Sequence, residues 1–173
     1  MTGVDAHRGA GATPAGPPLL LRLMGLTAYV GLVGFAVAEL VQVIQYGSTG
    51  LLDASLLNAL VWLAGVNSII IGSGHVTFPD PIAKSIGWAR SPFQWEVGLA
   101  SLGIGVLGVL APSFDRDFQL AAVIAFAIFY LGAAVGHVRE MVTERNFEPG
   151  NAGFIFYYDI LAPLLVIALY VAT

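Results

Sequence analysis

Apolar residues along this chain gather in long blocks, separated by short stretches of polar residues, glycine and proline. A helix needs about 20 apolar residues to cross the hydrocarbon of a bilayer. Five blocks have that character: 21–46, 53–76, 93–111, 118–141 and 152–172. Inside lipid the backbone must satisfy its own hydrogen bonds, so each block is expected to be a helix. None shows the strict alternation of a barrel strand. The pattern predicts an all-α, polytopic transmembrane bundle with five spans.

The stretch before the first block, 1–18, is rich in Gly, Ala, Pro and Thr and has no apolar period. It is expected to be a disordered tail, with 19–173 forming one transmembrane domain. The block after it is longer than the roughly 7–15 residues of a signal-peptide core, so it is expected to be a retained span.

The polar breaks are unequal. Those at 47–52 and 112–117 are short turns. Those at 77–92 and 142–151 are longer and hold most of the charge. In the first of these, Asp80-Pro81 reads as an N-cap with proline at the first helical position. Ile82, Ile86 and Trp88 interleaved with Lys84 and Arg90 suit a short helix lying at the membrane interface. Ser91-Pro92-Phe93-Gln94 reads as a capping box that opens the third span.

Charge then orients the bundle. Of the seven basic residues, Arg8, Arg22, Lys84, Arg90, Arg139 and Arg145 fall on the N-terminal side, and Arg116 on the other. Cytoplasmic loops carry the excess of Lys and Arg, which places the N-terminus in the cytoplasm and the C-terminus outside. The expected location is the inner (plasma) membrane, as a multi-pass protein.

Composition agrees. Hydrophobic residues make up 57% and charged residues 10% of the 173, against about 25% charged in a typical soluble domain. The partner this demands is the lipid bilayer; a membrane-complex partner or a second copy is compatible with it. A net charge of −4 argues against nucleic-acid binding. The absence of cysteine removes disulfides, thiolate metal sites and cysteine nucleophiles.

The candidate chemistry lies in an internal echo. Gly-His-Val ends the second block at His75 and the fourth at His137. An acid follows each near the start of the next block, Glu96 and Asp159. These positions suggest two repeated helical hairpins, 53–111 and 118–172, each presenting a histidine and a carboxylate at one membrane level. With Glu140, one helical turn from His137, they form a candidate polar cluster: His75, Glu96, His137, Glu140 and Asp159. A second polar group comprises Glu39, Gln42 and Asn67, with Asn58 and Asn67 as possible partners of the carboxylate.

Ionisable groups at membrane depth are expensive and point to function. Two imidazoles and two carboxylates, His75, Glu96, His137 and Asp159, are a possible ligand set for a divalent metal. The His-x-x-Glu order at 137–140 is the reverse of the usual di-metal motif, and no second copy follows His75. Paired histidines on two spans could also ligate a b-type haem. The alternative is a self-satisfied polar lock between helices, or a proton-linked or solute-binding pocket.

Residues 78–108, carrying Phe78-Pro79, Ala83, Ile86-Gly87, Glu96, Gly98, Ala100 and Leu102-Gly103, resemble the DoxX-like group of small bacterial membrane proteins. That resemblance implies a small helical membrane protein, in some relatives an accessory oxidoreductase subunit, usually with four spans. The leading expectation is an accessory or structural membrane subunit with an inner-face His/carboxylate cluster. A membrane oxidoreductase or redox carrier and a proton-linked solute transporter are the alternatives. Whether it is an enzyme is left open.

Overall fold

The computed structural model describes residues 26–27 and 29–173, and among these it contains helices and no strand. The expected N-terminal tail lies outside the described residues. The elements are α1 (Val30–Tyr46), α2 (Leu51–Thr77), α3 (Pro79–Ile86), α4 (Phe93–Leu110), α5 (Arg116–Thr143), α6 (Pro149–Ala152) and α7 (Phe154–Ala172). The blocks at 53–76, 93–111, 118–141 and 152–172 become α2, α4, α5 and α7 to within two residues at each end.

Span count is where the structure departs from expectation. Four helices are long and apolar enough to cross a membrane: Leu51–Thr77, Phe93–Ser113, Arg116–Thr143 and Pro149–Ala172. The described part of the first block is a helix of 17 residues. At 1.5 Å per residue it spans about 26 Å, short of the ~30 Å hydrocarbon. The upstream end of that block lies outside the described residues. The five expected spans are therefore four on the described chain.

Helix ends have local causes. Gly47 and Gly50 take positive φ values of 62° and 61° and turn the chain between α1 and α2. Asp115 caps α5, its carboxylate accepting from the Phe118 amide at 3.1 Å. At the far end of α7, Arg116 lies 3.8 Å over the Tyr170 ring and donates to the Tyr170 carbonyl, so a cation sits at the helix C-terminus.

Two caps differ from the sequence reading. The short helix expected at the interface forms as α3, but it starts at Pro79, and Asp80 pairs with Arg90 at 3.0 Å instead of capping. The capping box at Ser91 does not form, because the Gln94 side chain is turned toward His75.

Helix pairs α2–α4 and α5–α7 make the most extensive contacts. In α2–α4 the backbones approach through glycine. A Cβ on Gly108 would lie 2.5 Å from the Gly65 nitrogen, and one on Gly72 2.7 Å from the Gly98 carbonyl. Without a hydrophobic drive between helices in lipid, such close van der Waals packing holds them together. Gly105 and Gly108 lie in this contact, whereas Gly132 and Gly136 of α5 meet nothing within 4 Å.

A π-helical turn, Leu60–Val66, interrupts α2. It sits where α1 crosses: a Cβ on Gly34 would fall 2.0 Å from the Trp62 ring. Leu60, Leu63, Phe126 and Val166, all nearly or fully buried, form the apolar centre between α2, α5 and α7.

Candidate functional site: a buried histidine–carboxylate couple

The two echoed histidines do share an environment, though not the expected one. Each is buried at a helix–helix junction, and each places Nδ1 against a side-chain carboxamide oxygen. His75 on α2 meets Gln94 of α4 at 2.6 Å. His137 on α5 meets Asn151 of α6 at 2.7 Å. Both amides were absent from the cluster read from the sequence.

The acids divide. Asp159 on α7 is 2% exposed, and its Oδ2 lies 3.3 Å from Nε2 of His137. Glu96 is exposed on α4 and has no hydrogen bond among the described residues. It lies two positions on from Gln94, a rotation of about 200° around the helix, so only one of them can face His75. Glu140 is half-buried one turn from His137, and Glu144 is exposed.

The five-residue cluster is thus not drawn together. Among the described residues, no group of three or more His, Asp or Glu side chains is placed to hold a metal ion. Of His75, Glu96, His137 and Asp159, only His137 and Asp159 meet: Glu96 turns outward, and His75 belongs to the other helix pair.

What does form is a relay running inward from the interfacial end. Nδ2 of Asn146 donates to the Ile86 carbonyl of α3 at 2.9 Å. Nδ2 of Asn151 donates to the Asn146 carbonyl at 2.8 Å and lies 3.4 Å from the His137 carbonyl. Oδ1 of Asn151 then accepts from His137, and His137 meets Asp159. Asn151 is fully buried.

This chain of partners fixes the histidine. The Asn151 nitrogen is committed to carbonyls, so its oxygen faces Nδ1, and Nδ1 must carry a hydrogen. In a neutral imidazole, Nε2 would then be a bare acceptor facing a carboxylate oxygen. Two acceptors so close inside a protein repel, so the couple holds one proton, on Nε2 or on Asp159. The other oxygen of Asp159, Oδ1, is buried without a partner among the described residues.

Deeper in the bundle lies a second buried polar layer. Ser68 and Tyr130 share a hydrogen bond of 2.7 Å between their oxygens. The Tyr158 hydroxyl donates to the Leu63 carbonyl in the π turn at 2.7 Å. The Asn67 amide and the Ser101 hydroxyl are buried without a hydrogen bond among the described residues.

The second polar group also splits. Glu39 accepts from Ser55 at 2.6 Å and from Asn58 at 2.9 Å, tying α1 to α2. Gln42 reaches the Thr49 carbonyl in the turn at 3.3 Å. Asn67 belongs to the central layer, nine residues or about 14 Å along the helix from Asn58. Buried Leu60, Leu63 and Ala64 fill the interval on α2.

A family of unknown function, DUF6790, matches residues 23–173. The chain belongs to that family. In this DUF6790 member the match takes in all the long helices and every residue of the relay. It gives no tie to the DoxX-like group that residues 78–108 resemble. No curated protein and no solved structure matches the chain.

Proposed function

We propose that this is a multi-pass inner-membrane protein crossing the bilayer five times, its N-terminus cytoplasmic, whose His137–Asp159 couple is a proton-binding site. The observation carrying this reading is the Asn151 clamp. With Nδ1 committed as a donor, the 3.3 Å contact between Nε2 and Asp159 requires a proton between them. The six-to-one distribution of basic residues supports the orientation, which puts the relay at the cytoplasmic end.

A buried carboxyl with a free second oxygen can receive a proton from one direction and pass it in another. The reading is therefore a proton-linked role within the membrane, either in solute movement or as a subunit of a larger assembly. Infrared difference spectroscopy of full-length protein in liposomes tests it. The expected result at neutral pH is a protonated-carboxyl band or an imidazolium signature that disappears in Asp159→Asn. A neutral imidazole beside a bare carboxylate would overturn the reading.

A structural reading is favoured by one observation: Asn151 bonds α5, the α5–α6 connection and α6 at once. On that reading Asp159→Asn would change packing and stability, with no protonation signal to lose.

A further inference from the structure

The His75 end of the molecule carries a different feature. Where α2 ends and α4 begins, a cleft of about 510 Å³ opens, lined by His75, Gln94, Arg90, Ser91 and Trp95 among others. His75 is 8% and Gln94 3% exposed, so both are buried except toward this cleft. Their mutual bond uses Nδ1 of His75 and Oε1 of Gln94. It leaves Nε2 of His75 and the Nε2 amide of Gln94 without a partner among the described residues.

The rim has matching chemistry. Arg90 is 71% exposed and meets Asp80 at Nε, and its guanidinium carries further N–H donors on the terminal nitrogens. The Ser91 hydroxyl makes no hydrogen bond among the described residues, and no side chain caps the start of α4. Trp88 and Trp95 are both exposed, at a level that suits headgroups. The cleft therefore offers several donors from Arg90, Ser91 and Gln94, and one acceptor at Nε2 of His75 while Nδ1 is the donor to Gln94.

We propose that this cleft binds a phosphodiester headgroup, the phosphate accepting from Gln94, Ser91 and Arg90, and a headgroup hydroxyl donating to His75. The phosphate of a membrane lipid meets this description, since the cleft abuts α3, whose sequence suits the interface. A free phosphate ester shares the chemistry. The proposal is independent of the His137–Asp159 couple, which belongs to the other helix pair.

Native mass spectrometry of delipidated full-length protein in detergent tests it, titrated with phosphatidylglycerol and, separately, with diacylglycerol of the same acyl chains. The expected result is one tightly retained phosphatidylglycerol and no matching diacylglycerol adduct. Arg90→Ala and Gln94→Leu are each expected to weaken retention about tenfold, the loss of one charge-assisted or buried hydrogen bond. Displacement of the lipid by millimolar glycerol phosphate or inorganic phosphate would support the shared chemistry and assign the site to the soluble ester; no displacement assigns it to the lipid. Equal retention of diacylglycerol, or unchanged retention in both variants, overturns the proposal. Arg90 is exposed, so Arg90→Ala alone decides should Gln94→Leu fail to fold.

Discussion

Asn146 stands over Gly87 so closely that any Cβ there would displace its amide. A Cβ on Gly87 would lie 2.7 Å from Oδ1 of Asn146, and Gly87 itself has φ 83°. Asn146 in turn grips the Ile86 carbonyl, so the end of α3 and the α5–α6 connection form one joint. This joint is the outermost member of the relay that ends on Asp159.

Gly87→Ala is accordingly expected to destabilise the protein by about 1–3 kcal/mol, from the left-handed backbone and the displaced asparagine together. The check is thermal unfolding in detergent. Hydrogen exchange should accelerate at both 86–88 and 146–151. Acceleration at the first segment alone would show that the joint is not coupled to the relay.

Asn151→Leu removes the group that orients His137 while keeping a similar bulk. Three hydrogen-bonding contacts disappear and the Nδ1 donor is left buried, so a loss of about 2–4 kcal/mol is expected. Nitrogen NMR of labelled imidazole should show His137 moving from a single protonated-Nδ1 form to a mixture of tautomers. An unchanged spectrum would remove the clamp from the argument for a shared proton.

A double-mutant cycle on His137→Phe and Asp159→Asn measures the couple directly. Both groups are buried, and breaking a buried pair by removing one partner costs about 3–5 kcal/mol, more than removing both. The expected coupling is on the order of 2 kcal/mol. Additive single effects would mean the 3.3 Å contact carries no energy.

Ser68 and Tyr130 allow the same logic with neutral groups. Tyr130→Phe or Ser68→Ala alone should cost about 1–2 kcal/mol, by leaving a buried hydroxyl unpaired. The double variant should recover much of that loss. Chemical denaturation of the three variants decides it.

Glycines of similar sequence context are expected to behave in opposite ways. Gly108→Ala forces α2 and α4 apart, because the new methyl would meet the Gly65 nitrogen at 2.5 Å. Gly136→Ala meets nothing, and should be neutral or stabilising by up to about 1 kcal/mol through helix propensity. Comparing the two melting curves is sufficient. A second copy packed on α5 would instead make Gly136→Ala disruptive.

The glycine contrast shows how far the sequence can be read. GxxxG at 132–136 and the spaced small residues at 101–108 look alike as strings. Which of them faces another helix depends on how whole helices are rotated, and helix rotation is a property of the packed bundle. The site was legible to a similar degree. The sequence puts His137 and Asp159 at one membrane level, and they lie 3.3 Å apart, because ionisable groups buried in apolar blocks have few partners. Glu96 was placed beside His75 because it is charged, but a rotation of two residues gives that place to Gln94. Asn151 had no signal: an asparagine between Pro149-Gly150 and Gly153 reads as an ordinary turn residue.

Hydropathy alone determined that the described chain is helical and suited to lipid, and where α2, α4, α5 and α7 run to within two residues. Those features follow from the cost of exposing peptide groups or charge to hydrocarbon, which acts on each segment separately. Tertiary structure decided the rest: the glycine contacts of α2 with α4, the π turn beneath α1, and the assignment of each histidine to an amide. These depend on the rotation and depth of one helix against another, set by van der Waals fit among many side chains at once.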